Sequence, residues 1–180
     1  MKKLKFIGLF ALSMSVFACG GGESPEAGSE AVETASAEVD YKGMEWTDLT
    51  EFGVNASLQI PNGDKGPQRI QNSATESVEI IVGTSYGIEV IPFGLTVEEK
   101  KAGLDGDLVY TIEYLEDTPD KVVYKKTIKD TDVEPEFHFL LMKEIDGESY
   151  SIQSLNKAYK QRWIEKMVIS AESLTANKPL

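Results

Sequence analysis

The chain has 180 residues, 41% of them hydrophobic, and its 30 acidic and 18 basic side chains give a formal net charge of −12 at pH 7. That balance argues against a nucleic-acid binder, which needs a basic footprint, and against a peripheral protein held to anionic lipid by charge alone. One cysteine and one histidine are too few for a disulfide framework, the usual zinc sets or a His-dependent triad.

At the amino terminus Lys2, Lys3 and Lys5 form a basic head, and residues 6–17 are almost wholly apolar, interrupted by Gly8, Ser13 and Ser15. A basic head, about a dozen apolar residues and a small residue at the end describe a secretory signal. The stretch is short for a membrane span, which needs about 20 apolar residues. Its last residues, Val16-Phe17-Ala18-Cys19, resemble a bacterial lipoprotein box: an aliphatic residue, a loosely restricted position, a small residue, then Cys. Phe17 is bulkier than is usual at its position. The resemblance implies cleavage between Ala18 and Cys19, a diacylglycerol thioether on Cys19, and acylation of the new amino group. The alternative is an ordinary signal peptide followed by a stray thiol, which an oxidising compartment would expose to unwanted pairing. Each buried CH₂ contributes about 0.8 kcal/mol and one acyl chain anchors only marginally, so several chains are expected to hold stably. Gly20 stands where an Asp retains many Gram-negative lipoproteins at the inner membrane. The resemblance therefore implies a cell-envelope protein of the outer membrane.

Residues 20–40 are mainly Gly, Ser, Ala, Thr, Val and Glu, with six acidic side chains, no base and no aromatic. Such a segment cannot offset the entropy of ordering and is expected to be a flexible, self-repelling tether. Removing the three signal lysines from the 18 basic residues leaves 15 against 30 acids, formally −15. Residues 41–180 are the length of a single domain and long enough to bury a core without disulfides or metals.

The strands follow in chain order. Val54, Ala56, Leu58 and Ile60 alternate up to Pro61, which predicts a half-buried strand ended by the proline. Val78-Ile80-Val82 and Tyr86-Ile88-Val90 match across a three-residue loop, Gly83-Thr84-Ser85, with Val82 opposite Tyr86. Thr96-Val97-Glu98-Glu99 fits a capping box opening a short helix to about Leu104. Leu108 to Tyr114 and Val122 to Ile128 are expected to pair around a loop at 116–120, with Tyr114 opposite Val122 and Leu108 opposite Ile128. Phe137 to Ile152 forms a hairpin on Asp146-Gly147, pairing Leu141 with Ile152 and Lys143 with Tyr150. Phe137, Phe139 and Leu141 lie on one face of its first strand, and His138, Leu140 and Met142 on the other. A strand apolar on both faces is expected to be central and covered on both sides. A final helix is expected from about Lys157 to Leu174, capped by Asn156, with a stripe of Trp163, Ile164, Met167, Val168, Ala171 and Leu174 facing the core. Trp163 is its expected main anchor. The fold class is thus α+β: an antiparallel sheet of about six to seven strands packed against a long C-terminal helix and one short helix.

Asp146-Gly147, Tyr150, Arg162-Trp163 and Ser170-Ala171-Glu172-Ser173-Leu174 resemble the end of PsbP-like domains. In that family a DG hairpin with an aromatic return strand leads to a helix carrying an RW pair and ending in S-A-x-S and a large apolar residue. Residues 53–61, GVNASLQIP, are similar to its opening strand, which also runs into proline. The resemblance implies an antiparallel sheet between helices and transfers no binding residue, because function belongs to the site and not to the fold.

The chemistry-bearing residues are sparse. His138 sits among apolar neighbours and is expected to be a satisfied sheet-face histidine. Asp105 and Asp107, Asp117 and Asp120, and Asp130 and Asp132 could ligate calcium, but each pair falls where a turn is expected. No catalytic residue, metal or cofactor is assigned. Lys157, Lys160, Arg162 and Lys166 form the one local basic surface of an acidic chain. They are the candidate partner surface, or else a solvated helix face. Three functions follow in order: a lipid-anchored, non-catalytic binding or assembly module with an envelope protein or ligand as partner; a carboxylate- or calcium-dependent envelope enzyme; and a carrier of a small apolar ligand between sheet and terminal helix.

Overall fold

Residues 42–177 are described by the structure, a computed structural model. The signal, Ala18, Cys19 and the acidic segment 20–40 lie outside the described residues. The strands are β1 (Met44–Asp48), β2 (Ala56–Pro61), β3 (Gln68–Asn72), β4 (Val78–Val82), β5 (Tyr86–Pro92), β6 (Tyr110–Asp117), β7 (Lys121–Ile128), β8 (Glu136–Ile145), β9 (Glu148–Ser154) and β10 (Thr175–Ala176). The helices are α1 (Val97–Asp105) and α2 (Gln161–Ser173). Seven strands form one antiparallel sheet in the order β3-β4-β5-β9-β8-β7-β6, and β1-β2-β10 form a second sheet of three. The α+β class is as expected. The second sheet was not foreseen, because β1 and β10 carry too little alternation to announce themselves.

Two hairpin registers follow the apolar match. Val82 pairs with Tyr86 and Val78 with Val90. Leu141 pairs with Ile152 and Lys143 with Tyr150. Asp146 and Gly147 both take positive φ, 52° and 82°, the geometry of a type I′ turn whose twist suits the flanking strands. β8 is an interior strand. Phe139 and Leu141 enter the main core with α2, while Leu140 joins Val97, Val122 and Tyr124 beneath α1 on the opposite face. The α1 capping box is complete: the Thr96 side chain accepts from the Glu99 N–H, and the Glu99 carboxylate accepts from the Thr96 N–H at 2.9 Å.

Three expectations are corrected. The β6–β7 ladder is shifted by two: Tyr110, not Leu108, faces Ile128, and Tyr114 faces Tyr124. Asp107 accepts the N–H groups of Val109 and Tyr110, at 2.8 and 3.1 Å, and holds 107–109 in a turn. Leu108 is left out of the strand and 89% exposed. At the other end, a bulge at Leu115 and a tight Thr118–Lys121 turn carry the pairing on to Asp117. A shift of two keeps every side chain on its face, so alternation alone could not detect it.

The terminal helix starts at Gln161, with Lys160 as an extended N-cap that makes no side-chain cap bond. Lys157 and Asn156 lie outside it. The Tyr159 carbonyl accepts the Phe137 N–H at 3.0 Å and its side chain is buried, which keeps the segment extended. Finally, Trp163 is half-buried, packed on the margin of the core, and the fully buried anchors of α2 are Ile164 and Met167. The residues of this helix that face β2 and the large sheet take the central places, and Trp163 lies to one side.

Candidate functional site

The four basic residues of the terminal segment do not share one surface. Lys157 donates to the Thr84 carbonyl, at the β4–β5 turn, and lies over the Tyr159 ring. Lys160 faces Glu134 at 3.6 Å, both side chains largely exposed. Arg162 and Lys166 stay together because both lie by the Trp163 ring, 5.7 and 5.5 Å from its centroid. Cations at such distances are attracted by the ring quadrupole, by about 0.5–1 kcal/mol where exposed.

What joins Lys166 comes from the other end of the described chain. A pocket of about 140 Å³ is lined by Trp163, Lys166 and Ile169 of α2 together with Lys42, Gly43, Met44, Pro61 and Lys65. Among the described residues its lining holds three lysines and no acid. Each wall has a local cause. Met44 pairs with Pro61, and the Asn62 N–H donates to the Gly43 carbonyl at 3.0 Å, so the β1 and β2 ends close side by side. Lys65 ends a short 3₁₀ turn, Gly63–Lys65. Gly66, at φ 128°, lets that turn meet the β4–β5 turn: a Cβ on Gly66 would lie 2.7 Å from the Gly83 Cα. Only glycine allows so close a backbone approach. The helix then lays Trp163, Lys166 and Ile169 over the opening, at a spacing that puts them on one face. Lys42 and Lys65 were missed in the sequence because no local run marks them. Their only signal was that each adjoins a glycine turn.

Several other charged groups are engaged elsewhere. His138 is buried, stacked on Tyr124 with ring centroids 5.5 Å apart, and its Nδ1 lies 3.0 Å from the Ser154 Oγ. Burial pushes its pKa down, against the opposing pull of Glu136, as expected of a neutral sheet-face histidine. Glu89 accepts from the Ser77 hydroxyl and from the Gln153 amide at 3.1 Å, and Lys100 donates to Gln153 at 3.2 Å. Burial lowers the Lys100 pKa, with Lys126 adding to the effect. Glu98, Asp105 and Asp117 line a cleft of about 640 Å³ beside α1. There Asp117 is paired with Lys101, and Asp105 accepts the Tyr114 hydroxyl at 2.6 Å. Asp120 accepts from Thr118, and Asp130 turns the chain at φ 57°. Among the described residues no group of three or more His, Cys, Asp or Glu side chains is placed to hold a metal ion.

No protein-family model, curated protein or solved structure matches the chain. The site therefore stands on its own geometry. A third concavity, about 310 Å³, lies between α2 and the β6–β7 edge, lined by Val123, Ile164 and Val168 and by the bulged Leu115.

Proposed function

We propose that this is a lipid-anchored protein of the cell envelope, held at the outer membrane through Cys19 and acting as a non-catalytic binding or assembly module. The observation that carries the binding role is the lysine-rich pocket closed by Trp163. Like charges gathered on an acidic molecule repel one another, and a negatively charged ligand or partner relieves that repulsion. Trp adds a rigid apolar surface with a polar edge, a combination enriched at binding sites. The anchor rests on the lipoprotein-box resemblance around Cys19, and a PsbP-like architecture for residues 41–180 belongs to the same proposal.

Two measurements test it. Wild-type cells fed a clickable fatty acid should label the protein, and Cys19→Ser should abolish the label and release the protein from membranes. An unlabelled wild type would sink the anchor. For the binding role, a photo-cross-linker at Ile169 should capture a partner in envelope fractions that Lys65→Glu/Lys166→Glu no longer captures. Equal capture by both proteins would remove the pocket from the reading. The carrier of a small apolar ligand is the second reading, favoured by the groove between α2 and the sheet. There Leu115→Glu should abolish uptake of an apolar fluorescent probe.

A further inference from the structure

We propose that the Trp163 pocket is a receptor for a phosphoryl group carried on a partly apolar molecule, a reading that rests on the binding role above. Among the described residues Lys65 and Lys166 form no ion pair, and both line the pocket with Lys42. Lysine is a compact point charge with three donors and a recurrent phosphate ligand, and it lacks the planar fork with which arginine grips carboxylates and phosphates alike. Neither of the chain's two arginines, Arg69 and Arg162, lines the pocket, and Arg162 lies by the indole. The unpaired Lys65 and Lys166 bring two positive charges to a pocket of about 140 Å³, which match the up to two charges of a phosphomonoester better than the single charge of a carboxylate. The rest of the wall is Gly43, Met44, Pro61, Trp163 and Ile169, so the bound molecule presents an apolar portion next to its phosphate. Head groups of membrane phospholipids and soluble phosphate esters both have this form.

The test uses the full chain carrying Trp46→Phe, which leaves Trp163 as the single tryptophan. One arm titrates glycerol 3-phosphate and inorganic phosphate at constant ionic strength. Another reconstitutes the protein in vesicles of phosphatidylcholine, with or without phosphatidic acid. A third titrates a glutamate-rich peptide. A saturable shift in Trp163 emission is expected with phosphoryl probes. Lys65→Glu/Lys166→Glu should weaken it about tenfold or more, and Lys129→Glu, a charge reversal outside the pocket, should leave it unchanged. A response confined to phosphatidic acid vesicles assigns the lipid source, and a response to glycerol 3-phosphate assigns a soluble one. Either outcome supports the proposal. No saturable response to any phosphoryl probe, or a response equal in both charge-reversal proteins, overturns it. A response to the peptide alone also overturns it, in favour of an acidic protein partner. Failure of the anchor is read separately, by the absence of fatty-acid label on Cys19, and leaves the soluble arm intact.

Discussion

On the face of the large sheet that meets α2, Val78, Ile80, Ile88, Val90, Phe139 and Ile152 are fully buried and join β2 and α2 in one core. The opposite face buries its apolar cluster under α1, where Val122, Tyr124 and Leu140 pack with Val97. Towards β4 and β5 it becomes a half-buried polar row in which Glu79 faces Glu89 and Glu89 faces Gln153. Two carboxylates opposite each other on one face should destabilise the pair. The neighbours answer this: Gln71 donates to Glu79 at 2.8 Å, and Ser77 and Gln153 donate to Glu89. One face thus holds the fold by burying area, and the other by satisfying polar groups.

The sharpest way to break that contrast is in β8, where neighbouring residues serve different faces. Phe139→Ala should cost about 3–5 kcal/mol, through lost transfer energy and a cavity that the two-sheet core cannot close. Leu140→Ala, in the smaller cluster under an exposed helix that can settle, should cost less, about 2–3 kcal/mol. Urea midpoints with unchanged slopes measure both, and equal losses would mean the two faces are equally rigid. Next comes Trp163, at the margin of the main core. Trp163→Ala should cost about 1–2 kcal/mol, well short of a fully buried tryptophan, because part of its ring is already wet. A loss as large as that of Phe139→Ala would show the ring to be a core anchor after all.

The polar side of the comparison is sharpened by pH. Burial holds the folded pKa of His138 below its ordinary 6.5. Below about pH 6.5 the unfolded chain takes up a proton that the folded chain refuses. This contribution is complete above pH 6.5 and is lost as pH falls towards the folded pKa. His138→Gln should flatten that part of the stability profile between pH 7.5 and 5. An unaltered slope would assign it to other groups. The smallest effect belongs to Lys160→Ala. Its ion pair with Glu134 spans 3.6 Å between side chains 70% and 84% exposed, so solvent screening leaves less than about 0.5 kcal/mol.

Where a contact is local, the residues themselves determine it. The Val82–Tyr86 and Leu141–Ile152 pairings follow from apolar alternation meeting turns of defined length, and the Thr96–Glu99 box from two side chains three residues apart. The two-sided apolar run of β8 marks an interior strand because no other position covers both faces. The rest depended on tertiary contacts. A two-residue slip in β6–β7 changes no face, so its register was decided by Asp107 and by the bulge at Leu115. The start of α2 moved from Lys157 to Gln161 because Tyr159 is held against Phe137, and Trp163 lost its central place to Ile164 and Met167. The pocket is the extreme case: Lys42 and Lys65 stand 124 and 101 residues before Lys166, and no periodicity links them. They meet because Gly66 lets two turns touch and α2 packs across β2, a proximity that exists only once the chain has folded.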